Sequence, residues 1–137
     1  DVYKRQALDG DTVTDVRIGR HEGFERVVFE LDGGGAPGWF VDYADTPTQQ
    51  GSGKTIDYSG ETALNVNIDG VVYPFEAGKD DPRIGVVDAP TEGIVTQVVN
   101  GGTYEGRCQF VIGMTSRKPY SVQVLDNPTR LVVDIRD

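Results

Sequence analysis

The sequence of 137 residues contains only one cysteine and one histidine. A lone Cys108 forms no internal disulfide, and with His21 it supplies too few ligands for a Cys/His zinc site. No apolar run approaches the length of about 18 residues that indicates a membrane-spanning helix. These shortages exclude a disulfide scaffold, a zinc finger and a transmembrane segment within the sequence.

Basic residues are also scarce. The 13 lysines and arginines face 22 acidic residues, which gives a net charge of −9. Because an acidic domain repels phosphate backbones, the sequence predicts no nucleic-acid partner. The balance reverses in residues 106–137, which carry five basic and three acidic side chains. Arg117 and Lys118 belong to this part, and we expect them to form a locally positive edge.

Glycine, and an alternation of apolar and polar residues, dominate what is present. The chain has 18 glycines and seven prolines, which favours many turns over long helices. Apolar and polar side chains alternate, as in half-buried strands, in residues 15–18, 26–31, 64–68, 108–114, 120–124 and 130–135. Weaker candidates are residues 39–43, 54–58, 71–75 and 94–99. About nine or ten strands are therefore predicted, in an all-β, antiparallel β-sandwich of two small sheets.

Turn chemistry separates these segments. Asp69-Gly70 lies between apolar runs and predicts a tight hairpin. Residues 46–54 and 77–90 are expected to be surface loops within one domain. Residues 51–55 read GSGKT, like the end of a phosphate-binding loop, but position 48 is Thr48 where that motif needs glycine. We interpret this segment as a hairpin loop.

The first six residues, Asp1 to Gln6, read DVYKRQ and resemble the in-frame translation of a sequencing adaptor. They are expected to be a non-native arm. The sequence predicts a single domain over residues 7–137, and the native N-terminus is expected to lie outside the sequence.

No constellation of residues predicts catalysis, a metal site or a cofactor. Cys108 lies on the apolar side of its strand, which indicates a buried hydrophobic residue. His21 precedes Glu22-Gly23 in an apparent exposed turn, a poor context for a general base. Arg130 and Asp134 share one side of a strand and are expected to form a structural pair.

Aromatic and basic residues offer the candidate ligand-binding groups. Trp39, Tyr43 and Tyr104 lie near glycine-rich turns, where ring faces can stack on sugars, although core packing is the default role for each. Arg117 and Lys118 complete the candidate set because of the positive edge.

Three stretches resemble the AMIN-like domain of secreted proteins and lipoproteins of high-GC Gram-positive bacteria, a relative of the AMIN domain of cell-wall amidases and secretins. They are DVRIGRHEGFERVVFEL (15–31), GGTYEGRCQFVIGM (101–114) and PYSVQVLDNPTRLVVDI (119–135). The resemblance implies a β-sandwich, an extracytoplasmic location in the cell envelope and a non-catalytic role. It also implies that a lipid anchor would lie on the missing N-terminus.

These observations support a module that binds cell-wall glycan (peptidoglycan) or targets its protein to the wall. The first alternative is a domain that binds another envelope protein through a flat apolar patch or a long unpaired strand edge. The second is a small hydrolase, which requires two convergent acids or His21 beside a serine in one pocket. A concave aromatic groove would favour the glycan.

Overall fold

The computed structural model describes residues 11–33, 37–71 and 81–137, and these residues form two antiparallel sheets. The described strands are β1 (Thr12–His21), β2 (Phe24–Asp32), β3 (Gly38–Tyr43), β4 (Thr62–Asp69), β5 (Val86–Asp88), β6 (Val95–Tyr104), β7 (Arg107–Met114), β8 (Tyr120–Leu125) and β9 (Arg130–Arg136). The predicted all-β sandwich is confirmed. This part of the chain contains no helix that is long and apolar enough to cross a membrane. The proposed adaptor arm, Asp1 to Gln6, lies outside the described residues.

The strands form a four-stranded sheet and a five-stranded sheet. The four-stranded sheet has the order β1-β2-β9-β8, and the five-stranded sheet has the order β3-β4-β7-β6-β5. All neighbouring strands are antiparallel. The first strand pair and the last one therefore lie in the same sheet, and the middle of the chain forms the other sheet.

The core lies between the sheets, where one side of each strand is apolar. Phe29 of β2 and Phe110 of β7 meet at the centre, with ring centroids 4.8 Å apart. Because side chains alternate between faces, the same pattern places polar residues outside. Fully buried members of this core are Val27, Phe29, Leu64, Val66, Ile68, Ile112, Met114, Leu131, Val133 and Ile135.

Three local predictions are wrong. Residues 54–58 form no strand; Thr55 makes only an isolated bridge with Thr48. Asp69-Gly70 does not close a hairpin, because β4 already pairs with β3 and β7 and Val71 bridges Asp11 instead. A short strand, β5, occurs within 77–90, where only a loop was expected. The predicted strand over 71–75 is not among these three, because most of it lies outside the described residues.

The connection between β3 and β4 covers the outer face of the five-stranded sheet. Ile56 packs there against Ala63 and Val111 in a second, smaller apolar cluster. Gln109 of β7 donates from Nε2 to the carbonyl of Thr48 at 2.9 Å. Residues 46–54 are therefore a surface loop, as predicted, but one that is attached to a sheet face. Within it, the backbone N–H of Gln49 donates to the carbonyl of Lys54, so GSGKT belongs to a tight turn.

A buried carboxylate connects the two sheets at one end. Glu25 of β2 is only 2% exposed and accepts hydrogen bonds from the backbone N–H groups of Ile94, at 2.8 Å, and Val95, at 3.0 Å. A buried charge needs partners of this kind, since an unpaired one costs several kcal/mol. Glu25 therefore fixes the start of β6 over β2.

Replacement of Glu25 by glutamine tests this connection. Glu25→Gln keeps the size of the side chain but replaces one acceptor oxygen with an N–H₂ group that cannot accept. We expect the free energy of unfolding to fall by about 1.5–3 kcal/mol. Urea denaturation measures the change. Glu22→Gln in the exposed β1–β2 turn is the control and should change stability by about 0.5 kcal/mol or less. Equal denaturation midpoints for the two variants would contradict a structural role for Glu25.

Candidate functional site

The five candidate residues fall at two ends of the five-stranded sheet. Four residues cross the sheet as paired neighbours at one end: Gly38, Asp69, Arg107 and Tyr104. Trp39 follows directly in β3, so it belongs to the same end as Tyr104. Tyr43 lies at the opposite end of β3 and is close to Arg117 and Lys118. The structure therefore divides the predicted site into two groups.

Tyr43 connects the two sheets through its hydroxyl group. The hydroxyl accepts a hydrogen bond from the backbone N–H of Lys118 at 2.8 Å and donates one to the carbonyl of the same residue. The Tyr43 ring also packs edge-on against Tyr120 of β8, with centroids 5.7 Å apart. Burial raises the pKa of the Tyr120 phenol, whose hydroxyl donates to the carbonyl of Val41. Both tyrosines therefore join β3 to the start of β8.

Arg117 is engaged in the same cluster. Its guanidinium group lies 5.1 Å from the centroid of the Tyr43 ring and 3.2 Å from Oδ1 of Asp45. Hydrogen bonds from the Thr62 hydroxyl and from Arg117 lower the pKa of Asp45. The positive charge predicted for this edge is thus balanced by a carboxylate. The contacts of Tyr43 and Arg117 are therefore packing contacts within the fold, which is the role that the sequence analysis weighed against sugar binding for Tyr43.

The Tyr43 hydroxyl is expected to contribute to stability. Tyr43→Phe leaves the N–H and the carbonyl of Lys118 without this partner, so we expect the free energy of unfolding to fall by about 1–3 kcal/mol. Thermal and urea denaturation measure the loss. Tyr104→Phe, which removes a hydroxyl from an exposed tyrosine, is the matched control and should shift stability by about 0.5 kcal/mol or less. A loss of the same size in both variants would show that the Lys118 contacts are not stabilising.

Exposed aromatic side chains mark the other end of the sheet. Trp39 is 45% exposed, Phe40 56% and Tyr104 45%. Trp39 and Phe40 are neighbours in an edge strand, so their side chains point to opposite faces of the sheet. Phe40 and Tyr104 share the outer face, one on each side of β4 and β7. Single exposed hydrophobic side chains are common on protein surfaces, so these aromatic groups become candidates through what surrounds them.

Tyr104 forms one wall of a groove that the β3–β4 connection completes. This Tyr104 groove has a volume of about 210 Å³ and is lined by residues 49–52 and 101–104. All eight lining residues, which are glycine, glutamine, serine, threonine and tyrosine, lack a formal charge at neutral pH. Two other grooves in the described part of the chain contain an acid, Asp81 in one and Glu92 in the other.

Two glycines allow the connection to approach β6 closely. A Cβ atom on Gly51 would lie 3.0 Å from Cδ1 and 3.1 Å from Cε1 of the Tyr104 ring. A Cβ on Gly101 would lie 2.9 Å from Cδ1 of Ile56. The Tyr104 ring therefore rests on the backbone of Gly51, and a side chain at either glycine would widen or distort the groove.

An ion pair adjoins the groove without lining it. Arg107 pairs with Tyr104 across the β6–β7 hairpin and donates to Asp69 from Nε at 2.6 Å. Its charge is thus matched by a neighbour on the outer face. Gln50, a lining residue, donates from Nε2 to the carbonyl of Arg107 at 3.4 Å. These contacts hold the connection against β7.

The other sequence candidates lie apart from the groove. His21 is exposed at the end of β1, where its ring stacks on Phe24 at 4.7 Å. Asp134 pairs with Arg26 across β2 and β9, at 2.8 Å, and not with Arg130 as predicted. Arg130 donates to backbone carbonyls of the β8–β9 turn. Cross-strand neighbours are closer than residues four apart along one strand, which accounts for the different partner.

Cys108 is buried, as the sequence predicted. Its side chain is 3% exposed, and burial raises the pKa of the thiol from 9.0 to about 11, with a small opposing effect from Thr103. At pH 8 a thiol of this pKa is about 0.1% thiolate, whereas about 10% ionises at the ordinary value. Its environment is therefore unsuited to nucleophilic chemistry.

The thiol pKa gives two measurable outcomes. We expect a thiol reagent at pH 8 to label native Cys108 at least about 100-fold more slowly than the urea-unfolded chain. The folded state also holds the proton more tightly, so the contribution of this group to stability is complete below pH 9 and is lost as the pH rises from 9.0 to about 11. Cys108→Ala lacks the thiol, so the difference between its free energy of unfolding and that of the wild type, measured from pH 8 to pH 11, gives the pH-dependent contribution of Cys108. Equal labelling rates in the native and unfolded chains would contradict the assignment.

Sequence reasoning missed several residues at the groove. Gln49, Gln50 and Gly51 were not candidates, because they reach Tyr104 only after the connection packs across the sheet. Phe40, which is exposed on the same outer face but does not line the groove, was not a candidate either. The strand alternation of β3 already placed Phe40 opposite Trp39 and was the one available indication. Among residues 11–33, 37–71 and 81–137, no cluster of His, Cys, Asp and Glu could hold a metal ion.

The fold and this surface together define a small β-sandwich domain with its exposed aromatic and polar groups on the outer face of one sheet. The model of the AMIN-like domain matches residues 11–137, and the chain therefore belongs to the AMIN-like domain family. Domains of this family are in general non-catalytic binding or targeting modules associated with the cell wall, and AMIN domains occur in extracytoplasmic proteins of the cell envelope. No curated protein and no solved structure matches the chain.

Proposed function

We propose that this chain is a non-catalytic, extracytoplasmic module that holds its protein at the bacterial cell wall by binding wall glycan. Membership of the AMIN-like family supports the location and the class of function. The observation that carries the choice of a glycan is the exposed Tyr104 ring beside a polar, uncharged groove. An aromatic face and nearby amide and hydroxyl groups match the apolar faces and the hydroxyl groups of a sugar ring.

Tyr104 is the member of the candidate set that best suits this role, because it is 45% exposed and lines the groove. Trp39 is equally exposed at the same end of the five-stranded sheet, but its side chain points to the other face and can add only a contact at the β3 edge. Tyr43 and Arg117 satisfy each other and their neighbours, so their contacts support the fold. Lys118 contributes its backbone to that cluster.

A domain that binds an envelope protein is the second candidate. It is favoured by Trp39 and Phe40, which are exposed side by side on an edge strand. Such an edge can accept a strand from a partner. However, β3 has only six residues, and the Tyr120 hydroxyl already occupies the carbonyl of Val41. The available edge is therefore short, which makes strand addition the weaker proposal.

Sedimentation with purified sacculi tests the proposed function. We expect the wild-type domain to pellet with the wall. Tyr104→Ala should weaken binding by about 2- to 10-fold, which corresponds to about 0.5–1.5 kcal/mol for one aromatic contact, and Trp39→Ala, on the other face of the sheet, should have a smaller effect. Lys118→Ala is the control and should bind like the wild type. Wild-type protein that stays in the supernatant at low salt contradicts wall binding, and an unchanged double aromatic variant contradicts this placement of the site.

A further inference from the structure

We infer that the Tyr104 groove takes a single uncharged sugar unit of the wall polymer, and that the acidic groups of the wall play no part in recognition. This inference rests on the proposed function and specifies its ligand. It commits to the neutral carbohydrate backbone, as opposed to the peptide carboxylates or polymer phosphates that accompany it in an envelope.

The charge of the lining supports a neutral ligand. None of the eight lining residues carries a formal charge at neutral pH. Of the two cations beside the groove, Arg107 is paired with Asp69 at 2.6 Å, and Lys54 lies on the exposed turn that follows the lining residues 49–52. Anion sites in proteins use positively charged side chains or converging backbone N–H groups. Around this groove the N–H groups of Gln49, Lys54 and Gly102 already donate to other groups of the protein. The chain as a whole has a net charge of −9, which opposes an anionic ligand further.

The groups that line the groove suit a sugar. The ring of Tyr104 provides a flat apolar face. Opposite it, the connection provides the side-chain amides of Gln49 and Gln50 and the hydroxyl of Ser52. Ser52 donates to Oε1 of Gln49 at 2.7 Å, so these polar groups are already ordered relative to each other. Amides and hydroxyls both donate and accept, as sugar hydroxyls also do.

The size of the groove sets the number of sugar units that it can hold. Its volume of about 210 Å³ lies below the range of about 300–1,000 Å³ that is usual for a small-molecule pocket. It is therefore suited to one ring of a longer chain whose remainder stays in solvent. A single ring gives weak affinity, and repetition of the unit along the polymer would raise the overall avidity.

The position of the β3–β4 connection sets the width of the Tyr104 groove. Because the Tyr104 ring rests on Gly51, the two walls of the groove are in contact at one end, and the β3–β4 connection cannot move closer to β6. A methyl group at position 51 would have to displace the ring. The width therefore depends on Gly51 as well as on Tyr104, which gives a way to alter the groove without removing the aromatic group.

The test compares four variants on sacculi and on chitotetraose, a soluble and uncharged oligosaccharide. Tyr104→Ala and Gly51→Ala should each weaken binding to both by about 3-fold or more, while Tyr104→Phe, which keeps the ring, should remain within about twofold of the wild type. Gly85→Ala is the matched glycine control, since its Cβ would meet nothing within 4 Å, and it should bind normally. Equal urea midpoints for all variants confirm that the fold is intact.

Salt dependence separates a neutral ligand from an acidic one. We expect sacculus binding to change by less than about twofold between low and high salt, because salt screens only charge interactions. Binding that falls about 10-fold with salt, or that is competed by polyphosphate but not by chitotetraose, overturns the inference while leaving wall binding intact. Sacculus binding that is unaffected by Tyr104→Ala and Gly51→Ala also overturns the inference and leaves wall binding intact. Absence of any sacculus binding by the wild type overturns the proposed function itself.

Discussion

Phe29 and Phe110 meet across the space between the two sheets, with ring centroids 4.8 Å apart, and the rest of the molecule depends on the dry layer around them. Hydrophobic burial is the main force that favours such a fold. Because strand side chains alternate, every residue that contributes to this layer places its neighbours on the outside. The inner faces therefore serve mainly stability, and most of the surface that a ligand can reach lies on the outer faces, the edges and the ends of the sheets.

The two sheets are aligned by polar contacts at their margins. Glu25 accepts two backbone hydrogen bonds from the start of β6, and Tyr43 exchanges two hydrogen bonds with Lys118 before β8. Both contacts join one sheet to the other. Apolar packing has little directional preference, whereas hydrogen bonds have a fixed geometry, so these side chains determine how the layers are positioned. Arg117 and Lys118, which the sequence singled out by their charge, thus contact Tyr43 where the two sheets are joined.

The β3–β4 connection shapes the outer face of the five-stranded sheet. A bare outer face would be flat, but the connection packs on it through Ile56 and leaves a groove beside Tyr104. Its close approach requires glycine at positions 51 and 101. The same segment reads GSGKT, a pattern that in isolation suggests a phosphate site. In this fold it forms a tight turn beside the Tyr104 groove, whose eight lining residues carry no formal charge.

The sequence by itself determined eight of the nine described strands, the inner face of most of them, the burial of Cys108 and the family, because alternation and turn residues are local properties. Its choice of Trp39 and Tyr104 as binding residues stays a prediction. Only the tertiary structure decided that Asp134 pairs with Arg26, that Tyr43 and Arg117 belong to an inter-sheet cluster, and that residues 49–52 form a wall of the Tyr104 groove. These contacts join residues that are far apart in sequence, and they depend on sheet order and on the path of a loop, neither of which leaves a periodic pattern in the chain.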